Sequence, residues 1–167
     1  MKHVMCVFAM LLAAVAVASR SAAQPILVDH RCTDITQIPA AAIVAAKANL
    51  HIAYGHTSHG SQIMSGLDYV EAENALYAQP VFHEVGDDLG HAGDTTWVPD
   101  VRAWLDGHPA CNMVMMSWCG GVSDNTPTGI DIYLNKMTEL EADYPSVIFI
   151  YMTGHLDGTG PAGTLYQ

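Results

Sequence analysis

The chain has 167 residues and a formal net charge of −11, with 17 acidic side chains against 6 lysines and arginines. That length suits one domain. So acidic a chain is expected to repel nucleic acid backbones and anionic membrane surfaces, which argues against both as partners.

The first 23 residues stand apart from that domain. "MKHVMCVFAMLLAAVAVASRSAA" has a basic start, an apolar run from Val4 to Ala18 and small residues at Ser21, Ala22 and Ala23. This is the layout of a secretory signal peptide cleaved after Ala23. The apolar run is shorter than the roughly 20 residues a membrane span needs. Cys6 lies inside the run and not at a cleavage position, so no lipoprotein signal is expected. Cleavage removes Lys2 and Arg20 and no acid, which takes the formal charge to −13 and leaves residues 24–167 as a single domain with no membrane segment. A secreted or periplasmic protein is expected. It keeps Cys32, Cys111 and Cys119. An odd number leaves one thiol without an internal partner. Cys111 and Cys119 flank an expected strand, whose ends are too far apart for a disulfide. A bond from Cys32 to either is open.

The elements follow in order. "PAAAIVAAKAN" (39–49) reads as a helix started by Pro39. "LHIAY" (50–54) is a short apolar run closed by Gly55, the mark of a buried strand. "SQIMSGLDYVEAENAL" (61–76) places Ile63, Met64, Leu67, Val70 and Leu76 at helical spacing. "PVFHEV" (80–85) is a short strand, and "GDDLGHAGD" (86–94) a surface loop near the rim. "PDVRAWLDG" (99–107) is a helix started by Pro99 and ended by Gly107. "NMVMMSW" (112–118) is an unbroken apolar strand followed by glycines. "TGIDIYLNKMTELEADYP" (128–145) is a helix with Ile130, Tyr133, Leu134, Met137 and Leu140 on one face. "VIFIYM" (147–152) is a further strand, and the chain closes on "TGPAGTLYQ" straight after a loop, which reads as a domain incomplete at its C-terminus.

Strands that are apolar throughout and alternate with helices predict an α/β fold with a parallel sheet covered on both faces. All strands of such a sheet end at one edge, where ligands bind. "GHTSHGS", "CGGVSDN" and "TGHLDG" each follow a strand, so these three polar, glycine-bearing loops are expected to meet at one rim.

Each loop carries chemistry and also has a bland reading. Ser58 lies on a glycine-flanked strand-to-helix turn, where a hydroxyl is exposed to a base and to backbone donors. The bland reading is that Ser58 or Ser61 caps the next helix. His56 and His59 form H-x-x-H. With His155 and Asp157 they would supply enough ligands for zinc; otherwise they bond loop carbonyls, or one of them is a catalytic base. A backbone N–H of Gly120 or Gly121 and the Asn125 amide would make an oxyanion pair. The same residues, with Asp124, are common in turns. Cys119 reads as a structural or disulfide-forming thiol ahead of a nucleophile. "GDDLGHAGD" lacks the spacing of a calcium loop. Trp97, Trp104 and Trp118 read as core.

The blocks "YGHTSHGSQ", "MMSWCGGVSDN" and "FIYMTGHLDGTG" resemble the GHxSxG, SWCG and YMTGHLDG blocks of a divergent exported bacterial group of the SGNH/GDSL hydrolases, over about residues 48–167. The resemblance implies a flavodoxin-like three-layer α/β/α fold. It also implies Ser58 as nucleophile, Gly120 or Gly121 and Asn125 as oxyanion donors, and hydrolysis of an ester such as an acyl or acetyl group on a carbohydrate, with no cofactor. The chain departs from the family pattern at three points. "GHTS" stands in place of GDS, so Thr57 competes with Ser58 for the serine's slot. "GGVSDN" matches G-x-N-D only loosely. The late Asp-x-x-His is missing, which leaves His155, His56 and His59 as candidate bases. Two further functions fit the residues: a metal-dependent hydrolase using His56, His59, His155 and Asp157, and a carbohydrate-binding module without catalysis.

Overall fold

The computed structural model describes residues 26–155. The expected export signal, Asp157 and the C-terminal tail lie outside the described residues. The chain divides into two compact units, Met1–Ile35 and Thr36–Gln167. In the described part of the first, Asp29 and Arg31 form an exposed ion pair at 2.7 Å. The arginine holds the Asp29 carboxyl below its ordinary range.

The second unit is an α/β fold. Its strands are β1 (His51–Gly55), β2 (Val81–Glu84), β3 (Met113–Met116) and β4 (Ile148–Ile150). Its helices are α1 (Ala40–Asn49), α2 (Ser58–Glu73), α3 (Trp97–Gly107) and α4 (Pro127–Asp143). All pairings are parallel and the sheet order is β2-β1-β3-β4. This is the strand order of the flavodoxin-like class, whose direction of growth reverses between β1 and β3. The expected alternation of strand and helix is borne out. Among the described residues, no helix is long and apolar enough to cross a membrane.

Side chains alternate across a strand, so register decides which face each one serves. Ala53 pairs with Val114, and Val114 with Phe149. These three, with Met116, pack with Trp97, Val101, Leu105, Tyr133, Met137 and Leu140 of α3 and α4 in one buried cluster. Ile52 and Tyr54 point to the other face and are also buried. That face is covered more thinly: α1 buries no residue fully, and α2 only Gly60.

Three expectations shift in detail. On α4 the buried stripe is Tyr133, Met137 and Leu140. Leu134 is 41% exposed, because a residue next to a stripe position is turned about 100° from it on a helix. Helix α3 begins at Trp97 and not at Pro99. Proline fits the first helical turn, where its missing N–H has no helical partner to lose. The GDDLGHAGD segment is not a surface loop throughout. Leu89 is buried, its N–H donates to the Ser117 carbonyl at 3.0 Å, and the chain turns through positive φ at Gly86, Gly90 and Gly93. Trp97 and Trp118 are core as expected, and Trp104 packs half-buried against the core.

Leu140→Ala is expected to lower the unfolding free energy in urea by roughly 2–5 kcal/mol. Leu134→Ala, at the flank of the same helix, should cost less than about 1 kcal/mol. Equal losses would contradict this choice of buried face.

Candidate functional site

The rim at the carboxyl ends of β1 and β3 is built by close approach. Ser117 continues β3, donating its N–H to the Gly55 carbonyl at 2.9 Å and its hydroxyl to the same oxygen at 3.3 Å. Tyr54 is buried and donates its hydroxyl to the Gly60 carbonyl at 3.1 Å. Burial raises the Tyr54 pKa and the bond with Ser117 offsets part of that rise. Gly60 lies so near the sheet that a Cβ there would sit 2.4 Å from both His56 Cβ and Ser117 Oγ. The first turn of α2 is thereby drawn down onto the strand ends.

Helix α2 starts at Ser58, three residues ahead of the sequence expectation, with Thr57 at the N-cap. Neither Ser58 nor Ser61 is the cap. Ser61 donates instead to the Thr57 carbonyl at 3.1 Å. Having given its proton there, Ser61 accepts from His56 Nδ1, 3.2 Å away. His56 Nε2 lies 3.6 Å from the Glu84 carboxylate and has no hydrogen-bond partner among the described residues. His56 therefore turns towards β2. The Thr57 hydroxyl donates to Asp88 of the loop after β2.

Ser58 and His59 turn the other way. Cys119 Sγ lies 3.5 Å from Ser58 Oγ and 3.3 Å from His59 Nδ1. The His59 ring stacks on His155, with centroids 3.8 Å apart and planes 11° from parallel. His155 Nδ1 is buried without a hydrogen-bond partner among the described residues. One cluster thus draws Ser58 and His59 from the first turn of α2, Cys119 from the loop after β3 and His155 from the loop after β4. Among the described residues no histidine nitrogen hydrogen-bonds to Ser58 Oγ.

The Cys119 thiol is pulled down to about 6. His59 is the largest cause, followed by the Thr57 hydroxyl, with smaller parts from the His59 backbone N–H and the Ser58 hydroxyl. Donors at the head of a helix stabilise a thiolate in this way. Cys32, Cys111 and Cys119 are all free thiols.

The 120–125 turn leans towards the loop after β2. A Cβ on Gly121 would sit 2.2 Å from the Gly90 carbonyl, and Asp124 pairs with His91 at 2.7 Å. Space around Gly120 is open. Asn125 accepts from the Thr126 N–H at 2.9 Å, while its Nδ2 is buried with no partner among the described residues. The H-x-x-H pair does not converge, because His56 precedes the helix and His59 lies in its first turn. Among the described residues no group of three or more His, Cys, Asp or Glu side chains is placed to hold a metal. Asp157, the fourth ligand of the zinc reading, lies outside the described residues.

Two rim residues escaped the sequence reading. Asp88 sits in the loop expected near the rim, but nothing in the sequence singled it out from the other aspartates there. Because that loop follows a parallel strand, its position already pointed to the same edge. Ser117 is buried within an apolar run and carried no local signal. A groove of about 400 Å³ beside the end of β2 is lined by residues including Glu84, Asp100, Trp104 and His108, and by none of the predicted site residues.

Gly60→Ala should destabilise the fold by about 1–3 kcal/mol in chemical denaturation, since backbone or core must shift to admit the methyl group. A neutral result would mean that the head of α2 is not pressed onto the sheet. Comparison with protein-family models, with curated proteins and with solved structures finds no match in any of the three.

Proposed function

We propose that the chain is an exported hydrolase of esters working by nucleophilic attack at the β1/β3 rim, with Ser58 as the nucleophile. The observation that carries this reading is the convergence of Ser58, His59, Cys119 and His155 from the segments that follow three separate strands. A reaction centre needs several side chains of different chemistry at one point, and in sheets of this order ligands bind at the reversal of strand order.

In this reading the Ser58 hydroxyl attacks the ester carbonyl from the first turn of α2. The helix N-terminus favours the negative charge that develops there. The proton passes to a histidine of the stacked His59–His155 pair. His56 is set aside as base because its ring turns towards Glu84 of β2 and away from the Ser58 cluster. Gly120, with open space around it, and Asn125, with an unused amide donor, remain the candidates for holding the oxyanion. The substrate class, an acyl or acetyl ester of a carbohydrate or small molecule, rests on the family resemblance.

A fluorophosphonate probe should form an adduct that peptide mass spectrometry maps to Ser58. Ser58→Ala should lose the adduct and at least about a thousandfold of 4-nitrophenyl acetate hydrolysis. Turnover that survives Ser58→Ala unchanged, with no serine labelled, would sink the serine reading.

A further inference from the structure

We infer that Cys119, paired with His59, is a second nucleophile of this rim and takes an acyl group from an ester or thioester. The inference rests on the ester class proposed above, extends it to thioesters and does not depend on Ser58 being a nucleophile. Four observations carry it. Sγ of Cys119 is 3.3 Å from His59 Nδ1, the spacing of a nucleophile and its base. His59 is itself oriented, because its ring is stacked on His155. The sulfur faces the first turn of a 16-residue helix, where Ser58 Oγ stands 3.5 Å away. The thiol is free and only half-buried, so a substrate has access.

Cys111 supplies the contrast within the same chain. It is buried, its thiol donates to the Met113 carbonyl at 3.5 Å, and it is the inert kind of cysteine. With its pKa near 6, Cys119 is mostly thiolate at neutral pH. The titratable groups around it are His59, His155 behind His59, and Asp88 on the far side of Thr57.

The step balances without a redox partner. A lone pair of the Cys119 thiolate attacks the carbonyl carbon. The bond from that carbon to the leaving oxygen or sulfur breaks, and the alcohol or thiol departs with the proton from His59 Nδ1. Water then attacks the S-acyl carbon and gives its proton to His59. The carboxylic acid leaves, and the thiolate and the protonated imidazole are restored.

The first test is the pH dependence of iodoacetamide alkylation of the full chain, read by peptide mapping. Cys119 should react with an inflection near pH 6, and in His59→Ala that inflection should move up by at least about one pH unit towards the ordinary thiol value. The inflection is the readout because a thiol of lower pKa is also a weaker nucleophile once ionised, which blunts differences in rate. An unmoved inflection would overturn the pairing with His59.

The second test acid-quenches the chain during turnover of the acetyl thioester of N-acetylcysteamine and maps the acetyl group. Acetyl on Cys119, in the wild type and in Ser58→Ala and labile to neutral hydroxylamine, is the expected result. Acetyl on Ser58 alone, with Cys119→Ser turning over at the wild-type rate, would overturn this inference and leave the serine reading standing. Acetyl on Cys119 alone would do the reverse. Acetyl on neither residue would overturn both.

Discussion

The rim depends on one close approach, that of the head of α2 to the ends of β1 and β3. Gly60 permits it. A side chain there would meet His56, Ser117 and the Tyr54 hydroxyl at once. Without a Cβ, the Gly60 carbonyl comes within reach of Tyr54, and the helix is fixed at its first turn by a buried hydrogen bond. Everything reactive then follows from position. Ser58 and His59 are carried against Cys119, and the positive end of α2 faces a sulfur and a hydroxyl that gain from negative charge.

The same approach sorts the two histidines of GHTSHG. His56 lies before the helix and turns to Ser61 and Glu84, while His59 lies in the first turn and faces Cys119 and His155. The three-residue spacing that would pair them on a continuous helix instead sends them to opposite sides, because Thr57 at the N-cap is in extended backbone. Thr57 and Ser58, equal rivals for one slot in the sequence, separate likewise: one bonds Asp88 and the other meets the thiol.

The two faces of the sheet are packed unequally. The face under α3 and α4 holds the large buried side chains, among them Trp97, Val101, Met137 and Leu140. The face under α1 and α2 buries little of either helix, so α2 is held less by apolar burial than by the polar contacts of its first turn. Ser58 and His59 ride on that lightly packed helix, where local opening costs least.

Much of the fold was legible because its signals are local. Apolar runs of strand length, helical spacing and glycine or proline at the boundaries state the alternation of elements, and the alternation implies a parallel sheet with its loops at one edge. Ser58, His59 and His155 could be named for that edge from their positions after strands. The buried stripe of α4 was readable to within one residue, Leu134. Which side chains meet was not readable. His59 and Cys119 are 60 residues apart, and their contact depends on β1 lying beside β3 and on α2 starting at Ser58. Neither is written in the local pattern, because strand order is set by how the helices pack over the sheet and the helix start by the space that Gly60 leaves free. The sequence by itself determined the elements and the edge at which they end. The tertiary structure alone decided that a thiol, a hydroxyl and two imidazoles share one point on it, since only packing brings distant loops within a hydrogen bond of each other.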